Sequence, residues 1–110
     1  EAQDTRPGRI RESEVPSECT VYMDGVFDLF HIGHLEAIRQ CAALGSTVII
    51  GVTGDADATG YKRAPILSED NRVAIVEAIR EVDKVICPCP LIVTEEFMLE
   101  HGIDLVVHGF

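Results

Sequence analysis

The stretch Thr47 to Val52, "TVIIGV", is an almost uninterrupted apolar run. A strand with one face in water alternates apolar and polar side chains; a strand without alternation is buried on both faces, as parallel strands covered by helices are. The rest of the chain fits that constraint. Cys19 to Met23 predicts a first strand, and residues 33–44 predict a helix with Leu35, Ile38, Ala42 and Leu44 near one face and Gly45 as its stop. Ser68 supplies an N-cap before Glu69 and Asp70, and Val73, Val76, Ile79 and Val82 recur at helical spacing. Lys84 to Cys87 reads as a third strand, Thr94 caps a helix ending at Gly102, and Leu105 to His108 reads as a fourth strand. This alternation predicts an α/β fold, a Rossmann-like parallel sheet with helices on both faces. The chain stops at Phe110, directly after a strand, so the C-terminal part of such a domain is expected to be missing.

The 110 residues suit one domain. Residues 1–18, "EAQDTRPGRIRESEVPSE", mix both charges with Pro and Gly around one isolated Ile10, and are expected to form a disordered tail or linker; residues 19–110 form the domain. Nineteen acids against nine bases give a net charge of −10, which argues against nucleic acid as a partner. No apolar run approaches the ~20 residues that span a bilayer, so no transmembrane segment is expected. Cys19, Cys41, Cys87 and Cys89 have no secretory context, which favours free thiols and a cytoplasmic setting, with membrane-peripheral association through regions outside the chain as the alternative. Cys87-Pro88-Cys89 lacks a second Cys or His pair to complete a zinc site, and no protein metal site is expected.

In an open parallel sheet, ligands bind beyond the carboxyl ends of the strands, and the first strand-to-helix turn is a favoured phosphate site. Asp24 to His34, "DGVFDLFHIGH", occupies that turn. Gly25 and Gly33 permit close backbone approach or unusual dihedrals, the helix start offers free N–H groups, and His31 and His34, three residues apart, are placed to face one ligand. Isolated histidines are usually core or surface residues, but a cluster of Asp24, Gly25, Asp28, His31, Gly33 and His34 at one strand end points to a site. Asp28 has two readings, contact with a ligand or hydrogen bonding to the turn's own backbone.

"HIGH" is the signature of class I aminoacyl-tRNA synthetases and equally the H-x-G-H motif of nucleotidyltransferases; the chain is too short for a synthetase and lacks its lysine-rich second signature. The segments "VYMDGVFDLFHIGH", "GYKRAPILSEDNR" and "VDKVICPCPLIVTEEF", in this order, closely resemble the cytidylyltransferases that make CDP-choline, CDP-ethanolamine and CDP-glycerol, over residues 20–110. The resemblance implies nucleotide binding by Gly25, Val26, Phe27, His31, Gly33 and His34, catalysis by His31, His34 and Lys62, and substrate binding by Asp24, Lys62, Leu91 and His108. It also implies Mg2+ as cofactor, CTP and a phosphorylated amino alcohol as substrates, and a homodimer. Arg72 matches the arginine of the family's E-R pair, with Asn71 in place of the glutamate; a surface ion pair is its other reading. Lys62 as a solvated loop charge and His108 as a hydrogen-bonded core residue are the corresponding alternatives. The family's later R-T-x-G-I-S-T signature has no counterpart here.

Choline enzymes carry a tryptophan where this chain has Leu91. A quaternary ammonium cannot donate hydrogen bonds and is held over aromatic faces, whereas a primary ammonium pairs with carboxylates. Leu91 and His108-Gly109 therefore favour transfer of CMP from CTP to phosphoethanolamine, with release of pyrophosphate. The alternatives are a choline-phosphate or glycerol-3-phosphate cytidylyltransferase, an adenylyltransferase, and a non-catalytic nucleotide-binding repeat.

Overall fold

The computed structural model describes residues 18–61 and 64–107. The expected tail therefore lies outside the described residues but for Glu18. Four strands, β1 (Thr20–Gly25), β2 (Thr47–Val52), β3 (Lys84–Ile86) and β4 (Leu105–Val106), form one parallel sheet in the order β3-β2-β1-β4. Four helices join them: α1 (Ile32–Ala42), α2 (Asp55–Tyr61), α3 (Glu69–Glu77) and α4 (Glu95–His101).

Strand alternation sorts the core into two layers. Val21 and Met23 of β1 with Val48, Ile50 and Val52 of β2 meet Ile38 and Cys41 of α1 and Val76 of α3. On the opposite face Tyr22 and Ile49 pack with Ile103 and with Phe97 and Met98 of α4, and the Tyr22 and Phe97 rings meet edge to face at 5.2 Å. Helices thus cover both faces, as the "TVIIGV" run requires: five of its six residues are buried.

Several boundaries differ from the sequence reading, each for a local reason. β1 runs to Gly25 because Thr53 N–H donates to Gly25 O, extending its pairing with β2. α1 ends on Ala43 rather than at Gly45, whose role is close approach: a Cβ there would lie 2.5 Å from the carbonyl oxygen of Cys19. α3 stops at Glu77, with Ile79 and Val82 in the turns beyond it, still packed against the core. β3 ends at Ile86 and β4 at Val106, short of Cys87 and His108, and His108 lies outside the described residues. Gly102 closes α4 in the left-handed conformation (φ 66°), as expected of a C-terminal glycine. α2, "DADATGY", was not foreseen; its sequence has no apolar stripe and contains a glycine.

The connections from β1 through β2 to β3 run to one side of β1, whereas β4 adds on the other side. The order reverses at β1, and such a reversal opens a crevice at the carboxyl ends of the strands. The β1–α1 loop, carrying the histidines, leaves from that point.

Candidate active site

The histidines build the start of α1 themselves. His31 is the N-cap: its Nδ1 accepts the Gly33 N–H at 3.0 Å, while Nδ1 of His34 accepts the His31 N–H at 3.0 Å, a reciprocal capping box made of two imidazoles. A neutral imidazole carries one proton, so when Nδ1 accepts, the proton sits on Nε2. Both rings therefore present Nε2–H as a donor. The rings lie 4.1 Å apart between centroids, tilted by 37°. Gly33 is needed for this geometry: a Cβ there would come within 2.8 Å of His31 Cε1.

His34 rests against Phe30 (5.1 Å) and Phe27 (5.7 Å). Burial, then the neighbouring His31, lower its pKa below the ordinary value, against a smaller opposing pull from Asp28. It is accordingly neutral at physiological pH, in keeping with the capping role of Nδ1. The first turn of α1 contains no acidic residue, whereas α2, α3 and α4 each carry acids there.

The unusual backbone expected at Gly25 or Gly33 falls instead on Phe27 (φ 56°) and Leu29 (φ 47°). Phe27 is buried in the core, so its side chain is not available to a nucleotide and only its backbone remains for that role. The Gly25 carbonyl accepts from Thr53 N–H and Oγ1, and the Val26 carbonyl from Arg72 Nη1.

Arg72 is fully buried, which overturns its reading as a surface ion-pair residue. Its Nε donates to Leu67 O (3.0 Å), Nη1 to Val26 O (2.9 Å) and Thr53 O (2.5 Å), and Nη2 to Asp55 Oδ1 (2.6 Å). One guanidinium thus ties the β1–α1 loop, the end of β2, the start of α2 and the segment before α3 into one frame. Its bond to Asp55 is the main cause of that carboxyl's lowered pKa. The signal for burial was present in the sequence: Arg72 stands four residues before Val76, on the apolar stripe of α3.

Asp28 takes the backbone reading, and over a longer range than its own turn. Oδ1 accepts the N–H of Leu29 (3.1 Å) and Leu67 (2.8 Å), and Oδ2 that of Ile66 (2.8 Å). The amides of Ile66 and Leu67 are the leading cause of its lowered pKa.

Asp24 is exposed at the carboxyl end of β1, on the strand face that carries Tyr22 two residues earlier. Burial, then the nearby Cys89 and Asp24, push the Tyr22 phenol far above its ordinary range. Burial likewise raises the pKa of both Cys87 and Cys89, so neither is a ready thiolate. Cys89 N–H bonds Val52 O, which anchors the loop carrying Leu91 to the carboxyl end of β2, and Leu91 is 59% exposed. Lys62 and His108 lie outside the described residues. Among the described residues, no group of three His, Cys, Asp or Glu side chains is placed to cage a metal, and no helix is long and apolar enough to cross a membrane.

The same fold occurs in the crystal structure of a lipopolysaccharide core biosynthesis protein from Thermoplasma volcanium GSS1, with a TM-score of 0.64 at 21% identity over 84% of this chain and 96% of that one. The chain is 39% identical over 107 residues to ethanolamine-phosphate cytidylyltransferase of Arabidopsis thaliana, covering 94% of this chain and 25% of the relative. It is equally 39% identical over 107 residues to choline-phosphate cytidylyltransferase of Saccharomyces cerevisiae, with the same coverage of each. The chain thus spans about a quarter of the length of these relatives. The cytidylyltransferase-like family model matches residues 22–110, and the chain belongs to that family.

Proposed function

We propose that the chain is the nucleotide-transferring part of an enzyme that moves CMP from CTP to phosphoethanolamine, releasing pyrophosphate and forming CDP-ethanolamine for phospholipid synthesis. The observation that carries this reading is the imidazole pair at the start of α1. Both Nδ1 atoms are engaged by backbone amides, so both Nε2–H groups are left to donate. Transfer requires a phosphomonoester oxygen to attack the α-phosphorus in line as pyrophosphate leaves. Such chemistry rests on bringing two anions together and on donors fixed in advance where charge gathers. His31 and His34 supply donors of this kind, supported by the N-terminal end of α1 with its acid-free first turn.

Lys62 is assigned the place between the triphosphate and the substrate phosphate by its resemblance alone, and His108 the substrate phosphate on the same ground. Asp24 is assigned the ammonium group, since an exposed carboxylate at the end of β1 suits a primary amine. Mg2+ is assigned to the triphosphate oxygens, where it would neutralise phosphate charge, because the described residues provide no protein cage for it. A homodimer is proposed on the family resemblance.

The test is pyrophosphate release by the full-length protein, with each nucleoside triphosphate paired with phosphoethanolamine, phosphocholine and glycerol 3-phosphate. CTP with phosphoethanolamine is expected to be fastest. Preference for ATP, or release without any phosphorylated alcohol, would contradict the reading.

A further inference from the structure

Two residues bearing side chains, Phe27 and Leu29, stand in the left-handed region on either side of Asp28, and the second lies two residues before His31. Non-glycine residues persist there only when their surroundings over-determine them. The restraint comes from the segment before α3. The Asp28 carboxylate accepts the amides of Ile66 and Leu67, and Arg72 grips the Leu67 carbonyl with Nε and the Val26 carbonyl with Nη1. Leu67 is thus held from both sides of its own backbone, and the turn at residues 26–29 is fastened at two points to the segment that precedes α3. Three of the roughly four acceptor positions of the carboxylate are filled by backbone N–H groups, which leaves little capacity for a ligand.

We propose that Asp28 is a positioning residue for nucleotide transfer: it clamps the amides of Ile66 and Leu67 against the left-handed turn and so sets where the imidazole pair stands relative to the segment before α3. The inference rests on the CMP-transfer reading and deepens it. The carboxylate acts through His31 and His34 rather than on substrate, so its loss is expected chiefly in turnover.

Asp28→Asn in the full-length protein tests this. The amide keeps one acceptor oxygen but turns an NH2 toward one of the backbone donors, and half the clamp is lost. Ile66→Pro removes a single clamp donor and leaves every charge in place. Per folded molecule, Asp28→Asn is expected to lower kcat about tenfold or more with the KM for CTP and for phosphoethanolamine within about threefold, because small misplacements of catalytic groups are costly. Ile66→Pro should lower kcat in the same direction, and the two losses should combine to less than their product, since both act on one clamp. In Asp28→Asn, faster amide exchange at Ile66 and Leu67 should accompany the loss. Native kcat in both folded variants overturns the proposal and leaves the CMP-transfer reading intact. A raised KM for either substrate with unchanged kcat also overturns it, by making Asp28 a ligand contact. If the unsubstituted protein releases no pyrophosphate with any substrate pair, the CMP-transfer reading fails and the positioning role with it.

Discussion

The capping bond of His34 requires a neutral ring. Protonation puts a hydrogen on Nδ1, which then cannot accept from His31 N–H, and half of the capping box is lost. Its folded pKa lies below the ordinary value near 6.5, so between the two values the unfolded chain binds more protons and stability rises with pH. The contribution is complete above the ordinary value and lost as pH falls through the folded one. NMR titration of His34 should give a midpoint below that of an exposed histidine; a midpoint above it would contradict the neutral ring. Gly33→Ala separates shape from stability. Alanine favours a helix by about 1 kcal/mol over glycine, yet the new Cβ meets the His31 ring, so activity should fall while thermal stability changes little. The motif made the two histidines legible. Which nitrogen is left to donate was not, because that is decided by how the loop turns at Phe27 and Leu29, and neither residue type announces a positive φ.

Between elements, Arg72 is the main connector. Its removal leaves the carbonyls of Val26, Thr53 and Leu67 without their donor, at about 1–3 kcal/mol for a fully buried group. Some of these sites are only partly buried, so Arg72→Leu is expected to cost about 3 kcal/mol in a denaturant melt. A change within about 0.5 kcal/mol would show the frame to be dispensable. The carboxyls of Asp28 and Asp55 both have lowered pKa values, so their contribution is present above the ordinary carboxylate range and lost as pH falls through their folded values. Helical periodicity made α1 and α3 legible, cap residues α4, and short apolar runs the strands. α2 was hidden because its support is tertiary: Arg72 bonds Asp55, and Glu69 accepts the Asp55 N–H at 2.8 Å. Arg72 itself was ambiguous because guanidinium groups are seldom fully buried, although its place on the Val76 stripe was visible.

For the molecule as a whole, the alternation of elements implied a parallel sheet but not that β4 would join beyond β1, since strand order depends on which way each crossover turns. That order brings the histidine loop to the switch point and gives the family resemblance a physical basis. On the proposed function, the choice of amino alcohol is expected to be sensitive to position 91. Leu91 is more than half exposed, so an aromatic ring there would meet a partly hydrated cation, worth about 1 kcal/mol or about fivefold. Leu91→Trp should shift relative kcat/KM toward phosphocholine by that factor, and no shift would place the amine pocket elsewhere. The most direct test of the account is the turnover of folded, full-length His34→Ala in CTP-dependent pyrophosphate release with phosphoethanolamine. Loss of one preorganised donor is worth ~2.7 to 4 kcal/mol, so kcat should fall about a hundredfold or more. Turnover within a few-fold of the unsubstituted protein would contradict the assignment of the imidazole pair to the transferring phosphate.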